Sequence, residues 1–363
     1  VQYVLVRKKG GPWDQEADPE GLRPFPTEHI EAWWSDFIVP TDHVQGLLNL
    51  WALDDEDPAT GLKTASLAAS WVRAVLKGEW HAKIWFFTQG VVAVDGSEIV
   101  TAAHQAPLWG MGRVMSVEVP NVWGGLIDLP AELSDKDTGT VVSHLCRQGR
   151  RASDVEDAIA LRKGDRFVQR VTRYHTVGQM PWSTRGTALV VDGLGPRGRH
   201  VASWLAERGA EHLVLMSTRE VDSPEAKELR EQLESLGVGV HCVQGDVRDR
   251  SAVARVLDEI DASLYPLKVV ALAVGEAEPT PFYSVEKEAI ERAMSEHIIG
   301  LGVLDKLTAS RELDAFICCS SVESVWGSWG QAAFAAGCAF QDAWVCAQRA
   351  RGVPAVSLDW GPW

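Results

Sequence analysis

The chain is short of basic side chains, paired cysteines and long apolar runs, and each shortage closes off a class of function. Lys and Arg number 35 against 50 Asp and Glu, a formal charge of −15. Nucleic acid and anionic membrane surfaces reward clustered cations, so neither is expected as a partner. No stretch approaches the roughly 18 consecutive apolar residues of a membrane span. The opening Val1–Lys9 has too short an apolar stretch, with its charges in the wrong order, for a secretory signal. The cysteines, Cys146, Cys242, Cys318, Cys319, Cys338 and Cys346, include no CxxC pair. Most lie in apolar runs, where Cys behaves as a small hydrophobe. Zinc, other metals and disulfide scaffolds are therefore not expected, and a reducing cytoplasm is. There is no initiator Met, so the chain is expected to be a piece of a longer polypeptide.

What is present is an ordinary globular composition of 363 residues, long enough for about two domains. The 16 Trp follow no fixed period, which points to packing rather than to a repeat architecture. The chain divides near residue 180, into 1–180 and 181–363. Upstream, Gly46–Leu53 and Ile84–Thr88 read as buried strands, with a polar, helix-compatible stretch from Thr64 to Lys77 between them. Trp109–Val119 reads as a helix, Trp123–Leu129 as a strand and Asp157–Arg173 as a hairpin. Residues Gly10–Pro40, with several Pro and charges, read as an irregular lead-in.

Downstream, strands and helices alternate. Strands are expected at Ala188–Val191, His212–Met216, Val240–Gln244, Lys268–Ala273, Asp314–Cys319 and Ala355–Leu358. Helices are expected at Gly198–Arg208, Pro224–Leu236, Ser251–Ile260, Ser284–Leu307 and Gln331–Arg351, the fourth weakened near Gly300 and Gly302. Ser223 and Gly237 supply an N-cap and a C′ residue for the second of them. Such alternation demands right-handed crossovers and a parallel sheet covered on both faces, a doubly wound α/β architecture.

The first of these strands runs into Asp192-Gly193-Leu194-Gly195-Pro196-Arg197-Gly198 and then a helix. Gly193, Gly195 and Gly198 make a G-x-G-x-x-G in the strand–turn–helix setting that suits a diphosphate. Two residues oppose that use. Pro196 removes a backbone donor from the loop. Asp192 sets a carboxylate beside the diphosphate; at about 5 Å and an effective dielectric near 20, repulsion is roughly 3 kcal/mol per facing charge. Arg197 and Arg199 are candidates to offset it. Arg219, after the second strand, suits a 2′-phosphate, and Asp246, after the third, an adenine amine; either reads equally well as a solvated loop residue.

These segments together resemble the ketoreductase region of modular type I polyketide synthases, extended short-chain dehydrogenases with an N-terminal structural subdomain. The resemblance rests on Gly46–Leu53, IWFFTQG at Ile84–Gly90, WGMGRV at Trp109–Val114 and WGGLIDLP at Trp123–Pro130. It continues through WLAER at Trp204–Arg208, EHLVLMS at Glu211–Ser217, LDAFICCSSV at Leu313–Val322, VWGSWGQ at Val325–Gln331 and the closing Trp360–Trp363. It implies two Rossmann-like subdomains, structural over 1–180 and catalytic over 181–363, the first shorter than is usual in the family. The chain stops where the family continues into a lid region and a last helix.

Family members reduce a β-ketoacyl group on an acyl carrier protein with NADPH and a Ser-Tyr-Lys-Asn set. Ser steadies the developing oxyanion, Tyr gives the proton, and Lys lowers the Tyr pKa. By position, Ser falls on Ser321, Tyr on Phe334, Lys on His297 and Asn on Cys338. A phenyl ring has no proton to give at any pH, and loss of a placed general acid costs about 10²- to 10⁴-fold in rate. The resemblance therefore implies a degenerate, non-reducing domain of the C1 type, with vestigial catalytic positions and no bound cofactor, NADPH being ancestral. Its partners would be the carrier protein and neighbouring domains of one synthase. Trp326 matches the Trp of A-type ketoreductases and marks the substrate pocket. The Glu276–Pro279 segment lacks the Leu-Asp-Asp of B-types. Two alternatives stay open: a redox-inactive epimerase acting at an α-methyl, as C2 domains do, and a weak reductase using His297 or water as acid. Each singled-out residue also has a plain reading, Ser321 bonding backbone, His297 semi-buried and Cys338 packing.

Overall fold

Strands flanked by helices on both faces read as unbroken apolar runs, and the central strands of both sheets are such runs. The computed structural model describes residues 2–6, 44–78, 82–146, 156–173, 182–275 and 278–361. The lead-in at Gly10–Pro40 lies outside the described residues. The chain forms two units: Val1–Val171 with Ala277–Arg292 and Glu323–Ala343, and Thr172–Glu276 with Ala293–Val322 and Trp344–Trp363. The chain first passes from one to the other at Val171–Thr172, and the two later segments of the first unit lie within the 181–363 half.

In the first unit, β1 (Gln2–Val6), β2 (Val44–Asn49), α1 (Pro58–Lys77), β3 (Lys83–Gln89), α2 (Pro107–Glu118), β4 (Trp123–Leu129), α3 (Asp135–Cys146), β5 (Ala158–Arg162) and β6 (Asp165–Val168) follow in order. The sheet runs β1-β2-β3-β4-β5-β6, parallel except for the β5–β6 hairpin. Trp85, Phe87, Ile127, Ile159 and Leu161 form the core on one face. Helix α1 opens with a capping box: Asp57 accepts the Thr60 N–H at 2.9 Å, and Thr60 Oγ1 accepts the Asp57 N–H at 3.1 Å.

Three sequence expectations are corrected here. The strand expected over Gly46–Leu53 stops at Asn49, and Trp51–Asp54 turns into a 3₁₀ helix held by Leu53 N–H to Leu50 O. The stretch read as polar, Thr64–Lys77, is mostly buried; Ser66 and Ser70 bond back to the Lys63 and Ser66 carbonyls, which lets hydroxyls sit in a core. Helix α3 was not expected at all.

The carboxyl ends of β3 and β4 are closed by a buried polar knot. Asp128, fully buried, accepts Thr88 Oγ1–H at 2.8 Å, Val91 N–H at 3.1 Å and Arg162 Nη2–H at 2.9 Å. Arg162 reaches Glu98 through Nε at 2.9 Å. Burial pushes the Asp128 carboxyl up, against these donors.

The second unit contains β7 (Thr187–Val191), α4 (Pro196–Glu207), β8 (His212–Ser217), α5 (Pro224–Ser235), β9 (Gly239–Gln244), α6 (Arg250–Asp261) and β10 (Leu267–Leu272). Helix α7 (Lys287–Ser295) then leads through a π turn at Glu296–Gly300 to α8 (Leu301–Thr308). Strands β11 (Ala315–Ser321) and β12 (Ala355–Trp360) complete the unit's sheet; between them in the chain, the short α9 (Glu323–Trp326) and most of α10 (Ala332–Ala350) belong to the first unit. The sheet is wholly parallel, β12-β11-β10-β7-β8-β9, so the strand order reverses between β7 and β10. That is the doubly wound order, with its ligand crevice beyond the strand ends at the reversal. Ser223 accepts the Ala226 N–H at 3.2 Å, and Gly237 takes φ +84° after α5, as the cap reading requires. The single helix expected over Ser284–Leu307 starts later and is interrupted by the π turn, which ends on Gly300, one of the two glycines at its expected weak point.

Candidate functional site

The glycine loop joins β7 to α4, and its backbone donors are largely used within the loop. Gly193 N–H donates to the Met216 carbonyl at 3.2 Å and Gly195 N–H to the Asp192 carbonyl at 2.9 Å. Pro196 is the first residue of α4, where a missing N–H disturbs no helical bond. Gly198 has a steric role: a Cβ there would stand 2.1 Å from the Asp192 carbonyl oxygen. The two arginines read as offsetting the loop's negative charge are engaged elsewhere. Arg197 is buried and donates to the Cys319 carbonyl at 3.3 Å, and Arg199 Nε donates to the Leu194 carbonyl at 3.0 Å.

Beyond the ends of β7, β8, β9 and β10 lies a polar cleft of about 270 Å³, lined by Asp192, Ser217, Arg219, Asp246, Gly275 and Glu296 among others. Asp192, Arg219 and Asp246, picked out separately in the sequence, are brought together here. Ser217 Oγ–H donates to Asp192 Oδ1 at 3.0 Å, and Arg219 Nε stands 3.7 Å from the same oxygen. Asp246 is forked by Arg248, Nη2 to Oδ2 at 2.6 Å and Nε to Oδ1 at 3.0 Å. That pairing holds the Asp246 carboxyl below the usual range. Arg248 also reaches Ser295 Oγ at 3.0 Å. Burial pushes the Glu296 carboxyl above its ordinary value; Arg248 opposes this, while Asp192 and Asp246 add to it.

Sequence reasoning missed Glu296, Arg248 and Ser217. Glu296 adjoins His297 in the sequence and would have been found had the π turn been read, since such turns cluster at functional sites.

Of the four positions matched to a catalytic set, Ser321 and His297 belong to the second unit, Phe334 and Cys338 to the segment packed with the first. Ser321 Oγ–H donates to the Trp360 carbonyl at 3.3 Å, the backbone bond of its plain reading. His297 lies in the π turn and is fully buried rather than semi-buried. On α10, Phe334 is nearly buried and Cys338 wholly so. Helix α2, with its WGMG run, packs closely on this segment. A Cβ at Gly110 would lie 2.0 Å from the Ala335 carbonyl oxygen, and one at Gly327 would lie 2.5 Å from that of Arg113. Glu118, at the end of α2, accepts the Phe282 N–H at 2.6 Å and the Gly330 N–H at 2.7 Å. Trp326 and Trp329, near these contacts in sequence, are each more than half exposed. Among the described residues no cluster of His, Cys, Asp and Glu is arranged to hold a metal, and no helix is long and apolar enough to cross a membrane.

Residues 186–363 match the KR domain family. The chain is 36% identical over 327 residues to the polyketide synthase GfsA of Streptomyces halstedii, covering 88% of this chain. It spans only 4% of that protein's length. A solved structure of A-type ketoreductases from a modular polyketide synthase is similar with TM-score 0.86 and 30% identity, over 99% of this chain and 78% of that one. A C2-type ketoreductase from a modular polyketide synthase is similar with TM-score 0.80 and 29% identity, over 93% and 73%.

Proposed function

This chain belongs to the ketoreductase domains of modular polyketide synthases, and on that footing we propose that it is a non-reducing, C1-type member whose module leaves the β-keto group unreduced. One feature carries the reading: residue 334, which the resemblance matches to the family's proton-donor Tyr, is Phe. Hydride delivery to a ketone builds an alkoxide that must be protonated, and a phenyl ring cannot do it at any pH.

The cofactor cleft supports the same reading. NADPH would bring a diphosphate to the glycine loop and a 2′-phosphate to Arg219. The residues present do not fit it: Asp192 faces both places, Gly193 and Gly195 direct their N–H groups inward, and Arg197 and Arg199 are engaged elsewhere. The epimerase and weak-reductase readings each need a proton donor at the reacting group. His297, fully buried, is poorly placed to exchange one with substrate.

In this reading the domain acts as a scaffold within a cytoplasmic synthase, keeping neighbouring domains at their spacing and letting the carrier protein pass. The lengths of relatives such as GfsA, of which the chain spans 4%, support such a setting. Trp326 and the likeness to A-type structures support descent from an A-type enzyme.

The test is incubation with NADPH and a β-ketoacyl thioester, following product by mass spectrometry. No hydroxyacyl product above the buffer control is expected; product above it overturns the proposal. Deuterium retention at the α-carbon of a methylated substrate is expected as well, and washout would favour the epimerase.

A further inference from the structure

Asp192 holds a backbone conformation that ordinarily belongs to glycine. Its φ is +54°, and Lys163 is the one other described residue besides glycine with positive φ. Asp and Asn tolerate the left-handed region better than other side chains, so the loop keeps its path while gaining a carboxylate. That carboxylate is held in place. Oδ1 receives the Ser217 hydroxyl at 3.0 Å and faces Arg219 at 3.7 Å. Oδ2 leans over Gly195, where a Cβ would come within 2.2 Å of it. Ser217 Oγ in turn accepts the Arg219 N–H at 3.2 Å, so hydroxyl and guanidinium converge on one anion while the Arg219 backbone steadies the hydroxyl.

We propose that Asp192 is an internal anion: it occupies the subsite that Ser217 and Arg219 form, and so competes with the phosphate-bearing end of any nucleotide entering the cleft. The inference rests on the reading of a domain that has lost its dinucleotide, and it names the residue that keeps the dinucleotide out. The other cations nearby offer no substitute, because Arg248 is forked to Asp246 and Arg197 is turned to Cys319. Glu296, on the same cleft, adds a third carboxylate to Asp192 and Asp246 against Arg219 and Arg248. An incoming phosphate must displace Asp192 from Arg219 or share it, and both are opposed by charge.

The probe is adenosine 2′,5′-bisphosphate, which carries the phosphate end without the nicotinamide, measured by calorimetry on the whole chain at low and moderate salt. Asp192→Gly suits the positive φ and is expected to fold; Asp192→Asn keeps the shape without the charge. The expected result is at least tenfold tighter binding by Asp192→Gly than by the unaltered chain. An intermediate gain is expected for Asp192→Asn, and Arg219→Ala added to Asp192→Gly should remove the gain. If the unaltered chain and Asp192→Gly both fail to bind, the internal-anion proposal is overturned while the non-reducing reading stands. Equal, saturable binding by both would overturn the proposal and also remove the support that the cleft lends to cofactor loss.

Discussion

The Glu118 carboxylate receives the Gly330 backbone N–H at 2.7 Å, joining residues 212 positions apart in the sequence. Its second oxygen receives the Phe282 N–H at 2.6 Å, and Thr280 N–H meets the Gly330 carbonyl at 2.9 Å. One side chain at the end of α2 thus ties two loops together, those that follow β10 and β11 in the sequence.

Glu118→Gln retains one good acceptor and turns an amide toward the other N–H, while Glu118→Ala loses both bonds. A hydrogen bond to a charged group is worth about 1.5–3 kcal/mol. Denaturant melts should place Glu118→Ala about 3 kcal/mol below the parent and Glu118→Gln between the two. Hydrogen exchange should quicken at Phe282 and Gly330. Unchanged exchange at both amides would refute the clamp.

Glycines on helices of this chain separate into two kinds. Gly110→Ala must push a methyl into the Ala335 carbonyl, a backbone contact with no rotamer to yield, and is expected to cost about 3 kcal/mol. Gly139 in α3 and Gly302 in α8 have open space around the same position. Alanine at either should raise stability by about 0.5–1 kcal/mol through helix propensity. Thermal melts of the three variants check the sign in each case.

The Glu296 carboxyl is raised above its ordinary value near 4.5 by burial, with Arg248 opposing and Asp192 and Asp246 reinforcing. A folded-state pKa above the unfolded one gives a contribution fully present below about 4.5 and lost as pH rises through the folded value. Glu296→Gln removes that dependence. Its melting temperature relative to the parent should therefore climb with pH above about 4.5 and level off beyond the folded pKa. A flat difference would show that the cleft leaves this carboxyl unperturbed.

His297→Lys puts a lysine at the fully buried position that the resemblance matches to the family's Lys. An ammonium there loses its hydration, which costs several kcal/mol unless a partner is supplied. The single variant should lose about 3 kcal/mol of stability and show no reduction. Phe334→Tyr alone should also stay inactive, since one proton donor repairs neither the cleft nor the buried His297. Turnover by either single variant would contradict the proposed loss of both cofactor cleft and catalytic set.

Most of the second sheet was legible because each of its strands is short, apolar and bounded by cap or turn residues. Ser223 and Gly237 mark α5 almost to the residue. The resemblance carried the family, and the positions proposed as vestigial rest on it alone. What escaped has a physical reason in each case. Helix α3, DKDTGTVVSHLC, has few apolar residues and an interior glycine, so its periodicity is faint. The buried face of α1 carries Thr64, Ser66, Ser70 and Arg73 among its apolar residues, and the Ser66 and Ser70 hydroxyls bond back to helix carbonyls, a pairing that composition hides. The sequence shows Asp192 only as a charge in the glycine loop, because its grip on Ser217 and Arg219 joins residues 25 or more positions apart. Glu118 acts over longer distances still and left no local pattern to notice.

The knot around Asp128 also decides where the first unit can be altered. Val91 and Glu98 are both bound into it, by Asp128 and by Arg162, so the loop between them is anchored at its two feet. Its tip, Asp95–Ser97, is exposed, and Gly96 has open space on every side a Cβ would take. A fluorophore or a short peptide grafted at Gly96 would therefore report on this unit from outside, leaving its folding undisturbed.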